Sequence, residues 1–418
     1  MTTDFTLDGA TFASEFASFV NFLGTENLDS ALAKVGQKLS QLPKGVRSLF
    51  GDRYFFHGQC VQLVHGSNPF QLDPTNFEAV RTASFIAGVN RARTYLSASA
   101  NGRLRAMCLD NLKPDRDIRQ LEHEIRYLVH FGQKGIEVSF ADLEGEGRFD
   151  LVCNARTQPS FEVECKTVTE DTGSQIKIEM TVSIAAAFHK SAHEMLTISN
   201  SGIYVLALKR PADQCKNLVT KLRSALKLND ITEFESDDFS LRFEERQIWA
   251  EYVRQNDWPR FQTIVMGDPQ IDGRAHIVTR VGDFVVGLVL VPHKESTLDE
   301  KVVSVLKDAA DQCSKSKAAI LWLHFVGMEE KSFLEIAQFA MDSKGGGLNA
   351  LVAKAIHPKA SPTDRSHVHL IRFSGDAAEL ETKPAFNSDR LLSRAKSISG
   401  FCYDVPNPNC RFQLIGDF

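Results

Sequence analysis

The chain has 418 residues, enough for two or three domains with a sizeable core. Hydrophobic residues make up 43% and charged residues 24%, which excludes a disordered, collagen-like or bare coiled-coil chain. Net charge is −5, with 48 Lys and Arg against 53 Asp and Glu, so any hold on nucleic acid has to come from local patches.

Residues 1–116 read as mostly helical. Phe12, Phe16, Phe19, Val20 and Leu23 recur at helical spacing, as do Leu28, Leu32, Val35 and Leu39. A further helix is expected from Asn76 to about Ser99, with Asp73-Pro74-Thr75 as its start signal. The arginines from Arg81 to Arg119 read chiefly as solvated faces. Ile118, Leu121, Ile125, Leu128 and Val129 form one stripe of a helix that Gly132 and Gly135 end. Strands are expected at Ile136–Phe140, Phe149–Asn154 and Ser160–Thr169, with Asp142–Gly147 as a hairpin turn between the first two. A helix over Gln175–Ser199 leads to a buried strand, Gly202–Leu208. That helical crossover predicts a parallel pairing of the third and fourth strands.

Residues 212–228 read as a basic helix. Later strands are expected at 261–267, 275–281, 283–291, 318–326 and 367–373, and helices near 297–315 and 329–342. The expected division is a helical region at 1–116, a core at 117–228 and an α/β region at 229–418. No apolar run reaches the 18 residues of a membrane helix, the longest being Phe284–Val291 and Ala318–Val326. The acidic opening MTTDFTLDGATF does not read as an export signal. The eight cysteines have no CxxC pair and read as reduced thiols in a cytoplasmic protein.

The chemistry-bearing segment is Phe161-Glu162-Val163-Glu164-Cys165-Lys166. Alternate strand residues share a face, so Glu162, Glu164 and Lys166 line one side while Phe161, Val163 and Cys165 pack on the other. Asp150 opens the preceding strand. If the two strands are antiparallel neighbours, Asp150 lies near Glu164. Two hard carboxylates suit Mg²⁺ or Mn²⁺, and an adjacent ammonium orients a water and offsets phosphate charge. The bare spelling acid-x-Lys recurs at Asp299/Lys301, Glu329/Lys331, Asp342/Lys344 and Glu381/Lys383, but those copies lack the upstream strand acid. His189 and His193, spaced i and i+4, and His367 with His369 have no evident third metal ligand. Lys344–Gly347 is a glycine loop that does not match GxxxxGK[ST].

Residues 118–208 resemble the restriction-endonuclease-like PD-(D/E)XK nuclease superfamily, especially its Mrr-like branch. The residues that carry the likeness are Asp150, the later Glu164-Cys165-Lys166, Glu122 with Ile125, Leu128 and Val129, and Gly135-Ile136. The resemblance implies an α/β fold with an αβββαβ mixed-sheet core, flanked by an N-terminal helical region and a C-terminal α/β region. It implies that Asp150, Glu164 and the Cys165 carbonyl hold Mg²⁺ or Mn²⁺, that Glu122 joins them directly or through water, and that Lys166 positions the attacking water. Gln175 is a candidate for touching the scissile phosphate. Lys209 and Arg210, which open a basic run to Lys227, are candidates for DNA contact. The expected activity is metal-dependent hydrolysis of DNA, with restriction or antiphage defence as the setting implied by the likeness. Without an ATP motif, access to DNA is expected to involve a helicase or translocase partner. Two alternatives stay open: an inactive scaffold or nucleic-acid-binding subunit of the same fold, and a nuclease acting on RNA.

Overall fold

The structure is a computed structural model. It describes residues 2–50, 53–65, 77–156, 159–169, 172, 176–194, 200–227, 232–255, 257, 260, 261, 264, 265, 276–281, 284–294, 298–326, 355, 364–375, 378–382, 390–397 and 402–404. Contacts divide the chain into two compact units. One comprises residues 1–38, 52–172 and 298–418, the other residues 39–51 and 173–297. The contiguous three-part division expected from the sequence is therefore drawn differently: most of the second unit is a long insertion in the sequence of the first.

In chain order the first unit opens with β1 (Thr2–Asp8), α1 (Gly9–Leu23) and α2 (Thr25–Ser40). After α3 (Lys44–Arg47) of the other unit come α4 (Phe55–His65), α5 (Phe77–Arg93), α6 (Ala98–Asn111) and α7 (Ile118–Gln133). Then follow β2 (Glu137–Phe140), α8 (Ala141–Glu144), β3 (Leu151–Asn154) and β4 (Phe161–Val168). The expected hairpin turn at 142–147 holds the short α8, closed by Gly145 at φ +80°, a left-handed position that glycine occupies without a Cβ penalty.

The second unit contributes α9 (Ile178–Glu194), β5 (Gly202–Leu208), α10 (Leu218–Leu226), β6 (Glu233–Glu235), β7 (Phe239–Glu245), α11 (Gln247–Gln255), β8 (His276–Val281) and β9 (Phe284–Val291). The first unit resumes with α12 (Leu298–Gln312), β10 (Ala318–Phe325), β11 (Val368–Gly375), β12 (Ala378–Thr382), β13 (Arg390–Ser397) and β14 (Cys402–Asp404).

The first unit is built on a mixed six-stranded sheet in the order β14-β11-β10-β4-β3-β2. β3 runs antiparallel to β2 and β4, while β10 runs parallel to both β4 and β11. A smaller sheet has the order β1-β13-β12. The alternation of β4 decides which layer each side chain meets. Phe161, Val163 and Cys165 pack with Leu121, Ile125 and Leu128 of α7 in the core that the N-terminal helices also share. On the opposite face Val302, Leu306, Ala309 and Ala310 of α12 cover Val152, Ala319, Leu321, Leu323 and Phe325. Gly88 lets α5 lie close to α7, since a Cβ there would stand 2.9 Å from Ile125 Cγ2.

The expected pairing of β4 with 202–208 does not form. β4 takes β10 as its parallel neighbour, in the register Glu164↔Leu321 and Lys166↔Leu323. β5 belongs to the five-stranded sheet of the second unit, order β6-β7-β5-β9-β8, where it pairs parallel with β9 and antiparallel with β7. Leaving out residues 173–297 and the one-turn α8, the order α7-β2-β3-β4-α12-β10 is again helix, three strands, helix, strand, and α12 rather than α9 precedes the parallel return. Each unit closes its own core: in the second, Phe188, Leu218 and Leu222 pack on Tyr204, Leu206 and Leu288, while Trp249 packs on Ile203, Val205 and Val289.

Most other expected elements within the described residues form with bounds shifted by a few residues. Where a strand was expected at 261–267, the described residues Phe261, Ile264 and Val265, with Arg260 before them, are helical. The helix expected at 329–342 and the Lys344–Gly347 loop lie outside the described residues. Among the described residues no helix is long and apolar enough to cross a membrane.

Candidate active site

The site forms where β3 begins. The β3–β4 register pairs Leu151 with Val163, so the next rung outward sets Asp150 against Glu164. The two residues brace each other. The Asp150 backbone N–H donates to Glu164 Oε2 at 3.2 Å, and the Cys165 backbone N–H donates to Asp150 Oδ2 at 2.6 Å. Lys166 Nζ lies 2.5 Å from Glu164 Oε1. Glu164 is 1% exposed, whereas the Lys166 side chain keeps 22% of its surface, so the ammonium is the group that reaches outward.

Helix α7 supplies a further acid, and it is Glu124 rather than Glu122. Asp117 caps the helix by accepting the Arg119 N–H at 3.1 Å, and both glutamates are buried along it. Glu122 is engaged elsewhere: Arg81 donates to it at 2.6 Å and Arg126, one turn on, at 3.1 Å. Arg81 itself is stacked 4.3 Å from the Phe55 ring. Glu124 accepts from Gln120 at 3.1 Å and lies in the field of Glu164, Asp142 and Lys166. The sequence pointed to Glu122, and the structure brings Glu124 to the cluster instead; a signal for this was there. Glu122 has Arg126 at i+4 as a ready partner, while the residues three and four positions from Glu124 are Leu121, Tyr127, Gln120 and Leu128, none of them a cation.

Burial and mutual repulsion set the protonation of this cluster. Burial pushes Glu124 up to about 8, with Asp142 and Glu164 adding to the rise. Burial, followed by the charges of Glu124 and Glu164, holds Asp150 well above the usual carboxylate range. Burial also raises Glu164, against the pull of Lys166. For Lys166, burial acts downward, but Glu164, Asp150 and Glu124 outweigh it and leave the ammonium harder to deprotonate than in water. Two buried carboxyl groups, Glu124 and Glu164, and the half-buried Asp150 thus share one ammonium.

The remaining candidates have partners of their own or lie outside the described residues. Glu162, on the same face of β4, accepts the Ser314 backbone N–H at 2.7 Å and the Ser314 hydroxyl, which ties it to the turn after α12 rather than to Lys166. Cys165 turns its side chain into the core, away from Glu164. Lys209 and Arg210 belong to the second unit, where they pair with Glu235 and Asp238. Gln175 lies outside the described residues. His189 Nδ1 and His193 Nε2 both meet the Thr279 hydroxyl, at 3.0 and 3.2 Å, and His367 Nε2 meets the Ala310 carbonyl at 2.9 Å. Among the described residues no group of three or more His, Cys, Asp or Glu side chains is arranged to hold a metal ion.

Two carboxylates and a main-chain oxygen are nevertheless a sufficient protein share for Mg²⁺, which keeps several waters. The excess of buried carboxyl groups over cations is the condition a divalent ion relieves. The donor chemistry of Asp150 and Glu164 therefore fits a hard cation. No family model, no curated protein and no solved structure matches this chain.

Proposed function

We propose that the protein is a divalent-metal-dependent phosphodiesterase acting on DNA, built on a PD-(D/E)XK-like core of α7, β2, β3, β4, α12 and β10. The observation that carries this reading is the convergence of Asp150, Glu164 and Lys166 at one end of an antiparallel strand pair, with Glu124 close enough to raise the Asp150 carboxyl. The αβββαβ order supports it, once residues 173–297 are treated as an insertion.

In this reading Asp150 and Glu164 hold Mg²⁺ or Mn²⁺, with Glu124 as the helix acid in place of Glu122. The ion, when bound, supplies Lewis-acid activation of water and phosphate oxygen. The rest is the work of the chain. The Cys165 N–H fixes the Asp150 carboxylate, and the Asp150 N–H fixes that of Glu164, so neither has to be ordered at the moment of reaction. Lys166 stays protonated in this field, which suits it to hold a water and offset negative charge at phosphorus rather than to act as a base.

The inactive-scaffold reading is favoured by one observation: Glu164 Oε1 is already taken up by Lys166. The experiment that separates the two uses purified protein with plasmid, linear and single-stranded DNA and single-stranded RNA, in Mg²⁺, Mn²⁺ or EDTA. Metal-dependent DNA cleavage that disappears in Lys166→Ala supports the hydrolase. No cleavage of any substrate in either metal moves the protein to the scaffold class, and RNA-only cleavage moves it to the ribonuclease alternative.

A further inference from the structure

A cleft of about 460 Å³ opens beside Lys166 within the first unit, with Arg148, Val305, Asp308, Asp311 and Gln312 in its walls. One wall is a single face of α12, since residues 305, 308, 311 and 312 are spaced three, six and seven apart. The other carries Lys166 and Arg148, from β4 and the approach to β3. Opposite charges thus face across the opening without closing it. Asp311 is held by Arg365 at 2.7 Å. Arg148 and Asp308 form no ion pair with each other or with any other described residue, and Lys166 is committed to Glu164. Gln312 adds an amide whose Oε1 is shut off from solvent with no hydrogen-bond partner among the described residues. A buried acceptor left unmet is unfavourable, so a ligand donor that draws the amide round makes the bond the protein leaves unmade.

The chemistry asks for a ligand that is anionic at one end and a hydrogen-bond donor at the other. We propose that this cleft is a subsite for one unpaired nucleotide of the substrate strand: its phosphate lies against Arg148 beside Lys166, and its base presents an exocyclic amino group to Asp308 and Gln312. The choice of ligand rests on the phosphodiesterase reading. A volume of this size is in the range of small-molecule pockets. A paired base has its amino edge occupied and its faces stacked, so the site selects single-stranded or locally unpaired nucleic acid. Cytosine offers an N4 amino donor where uracil offers an O4 acceptor, and an acceptor-only carboxylate at Asp308 separates the two.

The test is fluorescence anisotropy of the full-length protein in EDTA, with labelled oligodeoxycytidine and oligodeoxyuridine of equal length and a hairpin duplex. Oligodeoxycytidine is expected to bind about tenfold more tightly than oligodeoxyuridine, the worth of one charge-assisted hydrogen bond. The duplex is expected to be weakest. Asp308→Asn, an exposed and isosteric change, should erase the difference, because an amide can also donate to O4. Arg148→Ala should weaken both single strands alike and flatten the salt dependence by about one phosphate contact. Equal affinity for the two oligonucleotides, a preference that survives Asp308→Asn, duplex binding as tight as single-strand binding, or no binding at all would each overturn the subsite. The two proposals fail separately. Metal-dependent cleavage without a base preference removes only the subsite, and a base preference without cleavage removes only the hydrolase.

Discussion

Asp150 and Glu164 hold each other across β3 and β4, each carboxylate accepting a backbone N–H from the strand that carries the other. The exchange stands one rung beyond the Leu151–Val163 pair, where the ladder hands over from main-chain to side-chain acceptors. Two carboxyl groups are thereby fixed within reach of one another, at a cost visible in Asp150, which burial raises first and the charges of Glu124 and Glu164 raise further; Glu164 is raised mainly by burial. Such crowding is typical of sites tuned for chemistry, although structural ion-pair networks produce it too.

The first prediction separates chemistry from scaffolding on one face of β4. Glu164→Gln, which keeps an acceptor for the Asp150 N–H, and Lys166→Ala should each lower DNA cleavage by orders of magnitude while the thermal melt stays within a few degrees, since the crowded carboxyl groups left behind can take up protons. Glu162→Ala should do the reverse. It leaves the Ser314 N–H without its acceptor and should cost about 1–3 kcal/mol of stability with cleavage intact. Cleavage assays paired with melts on the three variants decide it, and a Glu162 variant as inactive as the Glu164 variant would refute this division of labour.

The two glutamates of α7 should likewise part company. Glu122→Ala strips Arg81 of its carboxylate partner in a buried pair, which should destabilise the fold by about 3–5 kcal/mol. Glu124→Ala removes a crowded acid, so it should melt at or above the wild-type temperature and cleave far more slowly. Urea unfolding with a parallel cleavage assay distinguishes the roles. An active Glu124 variant beside a stable, inactive Glu122 variant would restore Glu122 to the site.

The strand alternation that separates Glu164 and Lys166 from Cys165 is a local property, and so it was legible in the sequence. The same is true of the stripe of α7 and of the meeting of Asp150 with Glu164, which needed only a short antiparallel connection. The partner of β4 was not. Gly202–Leu208 and Ala318–Phe325 are both apolar runs preceded by helices, and nothing local tells which returns beside β4. The choice is made by packing: β5 builds its sheet with β7 and β9, and β10 carries Leu321 and Leu323 to α12. The cleft wall formed by Asp308 and Gln312 depends on that choice and could not be read earlier. Which glutamate of α7 meets the cluster was hidden for a different reason, because position along a stripe was weighed and the local countercharge of Glu122 was not.

Metal binding should be visible in stability, independent of turnover. An ion that binds only the folded cluster stabilises it by mass action. Mg²⁺ or Mn²⁺ should therefore raise the melting temperature of the wild type in a concentration-dependent way, and Asp150→Asn should abolish the rise. Differential scanning calorimetry across a Mg²⁺ series checks this. Equal rises in wild type and Asp150→Asn would place the bound ion elsewhere.

Glu124 gives the pH dependence its sign. Its pKa rises from 4.5 to about 8 on folding. Below pH 4.5 both folded and unfolded states keep the proton and the group contributes no slope. Between 4.5 and 8 the unfolded chain releases the proton and the folded one retains it, so stability falls as pH rises, by up to about 1.4 kcal/mol per pH unit. Above 8 both states are ionised and the loss is complete. Glu124→Gln should flatten this fall and leave the variant more stable than wild type at pH 8 to 9, while the two converge near pH 5. Added Mg²⁺ should narrow the gap at high pH, because it stabilises the ionised cluster that the wild type alone can form in full. Urea unfolding of both proteins from pH 5 to 9, with and without Mg²⁺, reads these slopes directly, and parallel curves for wild type and variant would remove Glu124 from the buried carboxyl cluster.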